Sequence, residues 1–336
     1  MAFPRWKGLA WAGLALALSP LSARAGRPPA KLPLRWVADV RLPGNPTRMD
    51  YLSLDPANHR VYLAHMGDGA VIAVDTQTRK VLGVTEGLPR VRGVLAVPSL
   101  GKVYASAAGS GEVGVIDAAT FKVLRRIPAG NVDGLDWVPS VHRLFVTDQH
   151  GGREVVVDTR SDRVEATVPL GPDVGNTRFD ATTGRVLIAL GASNELVAMD
   201  PARLAITGRY PLPGLRGAHG LALDPASHRV FVAGEDNATV GVFDLTQNRL
   251  LSVARVGRDV DVMAVDAQAH QLYVASESGV FSIFDIRPGL FAKIAEGYLA
   301  PDAHVVGVDP STHLLYVPLQ NVQGHPTLRI LIFEWP

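Results

Sequence analysis

The sequence predicts an all-β fold: a seven-bladed β-propeller whose blades are four-stranded antiparallel sheets. A unit of about forty residues recurs seven times, and short apolar runs alternate with turn residues in every copy. Helical periodicity is absent after the first 25 residues. The copies align, 41 to 44 residues apart, on Tyr62, Tyr104, Phe145, Leu187, Phe231, Tyr273 and Tyr316. A repeat of this length with four short strands is typical of a propeller blade.

The clearest copy is 219–257, HGLALDPASHRVFVAGEDNATVGVFDLTQNRLLSVARVG. Its strands are predicted at 221–223, 229–233, 239–243 and 250–256. The Asp that ends the third strand recurs as Asp75, Asp117, Asp158, Asp200, Asp244 and Asp285. We predict that these carboxylates accept backbone N–H bonds in turns and are not catalytic. A turn role is also predicted for a recurring histidine, found at His59, His142, His228, His270 and His313.

The last copy, which begins at Val305, contains only three strands before the sequence ends. We predict that the segment 34–42, LRWVADVRL, supplies its fourth strand and closes the ring. Closure removes the exposed sheet edges that would otherwise favour aggregation. It also accounts for a fold without disulfides, since the chain contains no Cys.

Residues 1–25 have the features of a secretory signal peptide. Arg5 and Lys7 form a basic start, an apolar run covers 8–18, and Ala23-Arg24-Ala25 fits a small-x-small cleavage site. The apolar run is short for a membrane span, although a retained N-terminal anchor is the alternative. The predicted organisation is therefore a signal peptide over 1–25, a Pro-rich tether over 26–33 and a single propeller domain over 34–336. We expect a periplasmic or secreted protein without a membrane span after cleavage.

Charge gives no argument for a nucleic-acid partner. The leader holds three of the 33 basic residues and no acid, so the mature chain has 30 basic against 32 acidic residues. Single-strand binders place aromatic platforms beside a basic groove, but arginines such as Arg90 and Arg216 are not interleaved with aromatic residues. Phosphate-binding loops, zinc-type His/Cys spacings and nucleophile elbows are also absent from the sequence.

Runs such as RVYLAHMGDGAVIAVDTQTRKVLGV, KVYASAAGSGEVGVIDAATFKVL and RVFVAGEDNATVGVFDLTQNRLL resemble the YVTN-type, or YncE-like, bacterial propeller family. The resemblance covers all seven repeats, although the fourth copy, GRVLIALGASNELVAMD, lacks the aromatic residue. It implies export and a binding scaffold rather than a particular reaction. One line of the family binds single-stranded DNA, and related propellers are non-catalytic subunits of amine dehydrogenases, so the fold does not define the function.

Propeller sites usually lie at the mouth of the central channel, where the innermost strands begin. One position there, five residues before the turn that ends the first strand, varies between copies. These ring positions are Asp50, Arg92, Asp133, Gly175, His219, Asp261 and His304, and Asn176 follows the glycine. Because they converge on one axis, we expect coupled and shifted pKa values. Loops predicted on the same face add His65, Asp148, His150, Glu235, Glu277 and Gln320.

Three interpretations of the ring stay open. Its charges solvate a wet channel and pair with one another, they bind a ligand or a protein segment, or Asp and two His residues hold a divalent metal. The predicted ligand-binding residues are Asp50, Arg92, Asp133, Asn176, His219, Asp261 and His304. The sequence predicts no catalytic residue, and it leaves both the cofactor and metal binding open.

The leading hypothesis is an exported, non-catalytic propeller that binds a small molecule or a periplasmic protein at the channel mouth, because the ring contains no nucleophile–base pair. The alternative is a metal-dependent lyase or lactone hydrolase, in which a divalent ion polarises a carbonyl oxygen and His219 or His304 acts as the base. A subunit of a periplasmic redox complex is the third hypothesis.

Overall fold

The computed structural model describes residues 32–335, which form 28 strands in seven four-stranded antiparallel sheets. The predicted seven-bladed propeller is therefore confirmed. Within this range the helices are single 3-10 turns, none of which has the length or apolar character to cross a membrane. They are Pro56–Asn58, Pro98–Leu100, Pro139–Val141, Pro225–Ser227 and Glu235–Asn237. The predicted signal peptide over 1–25 and most of the predicted tether over 26–33 lie outside the described residues.

Blades 1 to 3 each run from an innermost first strand to an outermost fourth strand. Blade 1 contains β2 (Leu52–Asp55), β3 (Arg60–His65), β4 (Ala70–Asp75) and β5 (Val81–Thr85). Blade 2 contains β6 (Val91–Val97), β7 (Lys102–Ala107), β8 (Glu112–Asp117) and β9 (Val123–Pro128). Blade 3 contains β10 (Val132–Val138), β11 (Arg143–Asp148), β12 (Arg153–Asp158) and β13 (Arg163–Pro169).

Blades 4 to 6 repeat this order. Blade 4 contains β14 (Val174–Asp180), β15 (Arg185–Leu190), β16 (Glu195–Asp200) and β17 (Ala205–Pro211). Blade 5 contains β18 (Ala218–Asp224), β19 (Arg229–Gly234), β20 (Thr239–Asp244) and β21 (Arg249–Arg255). Blade 6 contains β22 (Val260–Asp266), β23 (Gln271–Ser276), β24 (Val280–Asp285) and β25 (Ala292–Tyr298).

Blade 7 closes the ring as the sequence predicts. It contains β26 (Gly307–Asp309), β27 (Leu314–Val322) and β28 (His325–Phe333), and its outer strand is β1 (Leu34–Arg41). Strands β1 and β28 pair antiparallel, with Arg41 opposite Thr327 at one end of the ladder. Arg329 on β28 donates to both carboxylate oxygens of Asp39 on β1, at 2.9 and 2.7 Å. The two ends of the propeller are thus joined by backbone pairing and by a bidentate ion pair.

The core lies between the blades rather than at the centre of the ring. The seven residues on which the repeats align are all 1% exposed or less. Tyr104 of blade 2, for example, packs with Val132 and Leu144 of blade 3. Since neighbouring blades cover both faces of the second and third strands, those strands are apolar without alternation. Apolar packing between neighbouring blades therefore fixes the positions of the innermost strands around the channel.

The recurring turn residues have the predicted structural roles. Each third-strand Asp accepts a backbone N–H bond from the residue two positions further along, and five of the six also accept one from the next residue. The five histidines have φ between 53 and 58°, and the other two copies have Gly101 and Gly184 at the same place, with φ of 62 and 67°. The position is therefore defined by a left-handed backbone that glycine adopts most easily.

Candidate binding site at the channel mouth

A β-bulge places the ring positions of blades 2 to 6. In blade 3, Val132 pairs with Asp148 and Leu135 pairs with Val146, so that Asp133 and its neighbour oppose a single residue. Strands β6, β14, β18 and β22 have the same register shift at the same place. A bulge bends the strand and redirects the side chain. The ring positions of blades 1, 2, 3, 5 and 6 line one cavity at the channel mouth.

Glycine follows the ring position in blades 2, 3 and 5, as Gly93, Gly134 and Gly220. A Cβ on Gly220 would lie 2.2 Å from the main-chain oxygen of Asp261, and one on Gly93 would lie 2.6 Å from that of Asp133. The innermost strands of adjacent blades therefore approach so closely here that only glycine fits. These glycines are a sequence signal for the channel wall that the repeat alignment did not use.

Opposite charges pair on one side of the mouth. His219 Nε2 lies 3.4 Å from Asp133 Oδ2, and Arg92 Nη1 lies 3.9 Å from the same oxygen. Burial opposes a charge on the imidazole, but the Asp133 carboxylate raises the pKa of His219 to about 10. Burial likewise opposes a charge on Asp133, yet His219 and Arg92 hold the pKa of that carboxyl below its ordinary value. Both members of the pair are therefore ionised at neutral pH.

Acidic groups gather on the other side. Asp50, Asp261 and His304 each place one nitrogen or oxygen atom within 4.8 Å of those of the other two. Asp50 and His304 are 5% and 1% exposed. Burial, with the neighbouring carboxylate of Asp261, raises the pKa of Asp50 well above its usual range. Arg48 donates to Glu277 at 2.6 Å and also lies 4.0 Å from Asp261.

Tyr51 crosses the channel beneath the mouth, and the sequence analysis missed it. Its hydroxyl donates to Asp261 Oδ1 at 3.2 Å and accepts a hydrogen bond from the side-chain amide of Asn176, so it joins blades 1, 4 and 6. Tyr51 lines both the mouth cavity of about 270 Å³ and the cavity of about 280 Å³ in the channel below it. Burial raises the pKa of Tyr51 well above its usual range, so the hydroxyl keeps its proton.

The position of Tyr51 within the repeat could have identified it as a site residue. It follows the ring position of blade 1, where three other blades have glycine and two have valine. Asn176 occupies the equivalent register in blade 4, is fully buried and lines only the cavity below the mouth. Blades 1 and 4 therefore place polar side chains in a second layer, one residue beyond the ring position.

The remaining predicted residues divide between the mouth and its surroundings. Glu235 and Glu277 line the mouth cavity with Arg48, Arg90 and Gln149. Burial raises the pKa of Glu235. The others do not line that cavity. His65 bonds Thr47 Oγ1 at 3.0 Å, Asp148 accepts from Arg153 Nε at 2.9 Å, and Gln320 donates to Asp302. His150 is exposed, and His304 is buried.

Comparisons with known proteins agree with this architecture. No family model matches the chain. Over 196 residues it is 23% identical to the uncharacterized protein YncE of Salmonella typhimurium, a match that covers 56% of this chain and about half, 54%, of that protein. A chain of Kuenenia stuttgartiensis hydrazine synthase superposes with a TM-score of 0.72 at 14% identity, over 85% of this chain and 95% of that one. The WD40 repeats of RRP9 superpose with a TM-score of 0.74 at 13% identity, over 92% and 99%.

The structural matches show the fold alone, because their sequence identities are low. Together with the sheet topology, they define a seven-bladed β-propeller with a charged channel mouth. Within this class, the chain is similar to the YncE propeller, in agreement with the resemblance of its repeats.

Proposed function

We propose that this protein is an exported, non-catalytic propeller that binds a small polar ligand, or a side chain of a protein partner, in its channel mouth. The observation that carries the proposal is the convergence of charged side chains from five blades on one cavity of about 270 Å³. They are Arg48, Asp50, Arg90, Arg92, Asp133, His219, Glu235, Asp261 and Glu277. Low-dielectric walls around such a cleft strengthen its interactions with a polar ligand.

Size and charge narrow the class of ligand. Pockets for drug-sized ligands measure about 300–1,000 Å³, so this mouth suits a smaller molecule or one protruding side chain. Arg90 and Arg92 belong to blade 2, whereas Glu235 and Glu277 belong to blades 5 and 6 on the far side of the ring. A ligand with an anionic group at one end and an ammonium group at the other would complement both sides.

The charge state of His219 favours binding over base catalysis. With a pKa of about 10, its imidazole is protonated at neutral pH and cannot accept a proton from a substrate. Its ion pair with Asp133 also leaves that carboxylate engaged. This state supports the binding hypothesis over the metal-dependent lyase or lactone hydrolase in which His219 is the base.

Export is part of the proposal and is supported by the leader-like residues 1–25. Fractionation of the native host, with mass spectrometry of the N-terminus, tests it. We expect the protein in the periplasm or the medium, starting at Gly26. An intact N-terminus in the cytoplasm would refute export.

The binding proposal can be tested by thermal melting of the purified protein against a panel of amino acids, dicarboxylates and diamines, followed by calorimetry. We expect a zwitterionic compound to raise the melting temperature, and Arg92→Gln and Glu235→Gln to weaken its binding at least about tenfold, or about 1.4 kcal/mol. Arg125→Gln, on the exposed outer strand β9, is the matched control and should bind normally.

Two results would refute the binding proposal. One is a ligand that binds both mouth variants as tightly as the unaltered protein. The other is the absence of any saturable binder, both in the panel and in a periplasmic extract of the native host.

A further inference from the structure

We propose that Asp50, Asp261 and His304 form a binding site for one first-row divalent cation at the floor of the mouth. These residues come from the start of the innermost strands of blades 1, 6 and 7, which are consecutive around the closed ring. Their donor atoms lie within 4.8 Å of one another. The site does not depend on the proposed ligand, since it is defined by this chain's own side chains.

His304 distinguishes this group from an ordinary solvated cluster of acids. Its Nδ1 lies 2.8 Å from the main-chain oxygen of Asp302, a contact that requires the proton on Nδ1. In the neutral imidazole, the lone pair of Nε2 is therefore free to bind a cation. Nε2 is buried, no atom of residues 32–335 forms a hydrogen bond with it, and it faces Asp261 Oδ2 at 3.9 Å. A buried lone pair that faces a carboxylate is unfavourable unless positive charge lies between them.

Each proposed ligand is also held in place by a hydrogen bond away from the cluster. Asp50 Oδ1 accepts from the backbone N–H of Tyr51 at 3.0 Å, and Asp261 Oδ1 accepts from the Tyr51 hydroxyl at 3.2 Å. The third such bond is the one from His304 to Asp302. Metal ligands are characteristically oriented by outer hydrogen bonds of this type, which fix the tautomer and the direction of the free atom.

The distances and donor types define the class of ion. Two ligands with bonds of about 2.1 Å lie between about 3 and 4.2 Å apart on one ion, and the 3.9 Å between Asp261 Oδ2 and His304 Nε2 falls in this interval. An imidazole favours zinc, copper, iron and nickel, and carboxylates add manganese to that set. Asp50 and Asp261 line the mouth cavity, so water or a ligand carboxylate can complete the coordination from above.

Neighbouring charges permit a cation here. Arg48 lies 4.0 Å from Asp261 Oδ2, but its closer partner is Glu277, at 2.6 Å. Arg92 and His219 are associated with Asp133. The carboxylates of Asp50 and Asp261 thus have no closely bonded cationic partner among the described residues, which leaves their negative charge available to an ion.

The experiment uses untagged full-length protein stripped with a chelator and titrated with Mn²⁺, followed by electron paramagnetic resonance. We expect one Mn²⁺ per chain, with nitrogen hyperfine coupling from the imidazole. Asp50→Asn, Asp261→Asn and His304→Gln should each weaken binding at least about tenfold, and His304→Gln should also abolish the nitrogen coupling. Asp236→Asn, which changes an exposed acid of blade 5 outside the mouth cavity, is the matched control and should bind Mn²⁺ within about twofold of the unaltered protein.

Several outcomes would overturn the site. They are less than stoichiometric Mn²⁺ at about 1 mM free ion, a control variant that loses as much affinity as Asp50→Asn, and bound Mn²⁺ without nitrogen coupling. The first would mean that a proton alone neutralises the cluster. Thermal melting in chelator checks that each variant is folded, and the spectroscopic loss in His304→Gln separates a missing ligand from a general loss of stability.

Discussion

The two halves of the ring use the same backbone position in different ways. In the paired half, Asp133 lies between His219 and Arg92, and every charge has a partner of opposite sign. In the acidic half, Asp50 and Asp261 face the imidazole nitrogen of His304, which has no hydrogen-bond partner among the described residues. Both halves are built at the start of innermost strands. They differ only in the residue types that the neighbouring blades supply.

The chemistry of a ring position therefore depends on its neighbours across the channel. An Asp at the ring position is ionised beside His219 in blade 3, whereas burial and nearby acids oppose ionisation of Asp50 in blade 1. The charges of the paired half therefore compensate one another without a ligand. The acidic half gains from a proton or a cation, which makes it the more suitable half for a ligand.

Among the single substitutions, the largest expected effect comes from breaking the paired half. Asp133→Asn leaves the buried imidazolium of His219 without its counter-ion, so we expect the free energy of unfolding to fall by about 3 kcal/mol. Asp50→Asn removes a carboxylate that repels Asp261, and should leave stability unchanged or raise it. Urea unfolding in the presence of a chelator measures both variants. Equal losses would contradict the distinction between the halves.

The pH dependence of stability sharpens the comparison. The pKa of His219 rises from an ordinary value of 6.5 to about 10 in the folded protein, where Asp133, Glu235 and Asp261 face it. Its contribution is therefore complete below pH 6.5 and is lost as the pH rises through 10. Over that window the free energy of unfolding should fall by about 1.4 kcal/mol per pH unit. His219→Gln should lack this slope in urea titrations at successive pH values, and parallel curves would refute the assignment.

Tyr51 connects the two layers of the ring, and its removal should have an intermediate effect. Tyr51→Phe leaves the Asn176 amide and one oxygen of Asp261 without their partner, which should cost about 2 kcal/mol of unfolding free energy. Tyr298→Phe is the control, because Tyr298 is 55% exposed on the outer strand β25. Chemical denaturation compares the two variants. Similar losses of unfolding free energy would mean that the hydrogen bonds of the Tyr51 hydroxyl do not stabilise the fold.

The smallest effect is expected in the turns that the repeats share. His142 has φ of 54°, and blades 2 and 4 have glycine at the equivalent place. His142→Gly should change the free energy of unfolding by less than about 1 kcal/mol, because relief of the left-handed backbone offsets the added chain entropy. Mn²⁺ binding at the mouth should be unaffected. A large loss of that binding would show that the turn histidines do more than define a backbone conformation.

The sequence was sufficient to locate much of the candidate site, but not to predict which of its side chains contact one another. Each ring position lies five residues before the turn that ends the first strand of its blade. Five of these positions line the mouth cavity, as that spacing predicts. Tyr51 and Asn176 were visible only as departures from glycine or valine one residue later, and their hydrogen bond joins residues of opposite blades. His304 was predicted to line the mouth, yet it is buried and does not line that cavity, and its unpaired Nε2 faces Asp261.

By itself the sequence determined the number of blades, the strands in each, the closing strand and the turns. Each of these depends on a pattern repeated within about forty residues, so local apolar runs, glycines and turn carboxylates were sufficient to predict them. Only the tertiary structure decided which ring positions meet. Closing the ring brings Asp50 beside Asp261 and places His219 against Asp133 across an intervening blade. Protonation and ion binding depend on such distances through space, which the repeat pattern does not specify.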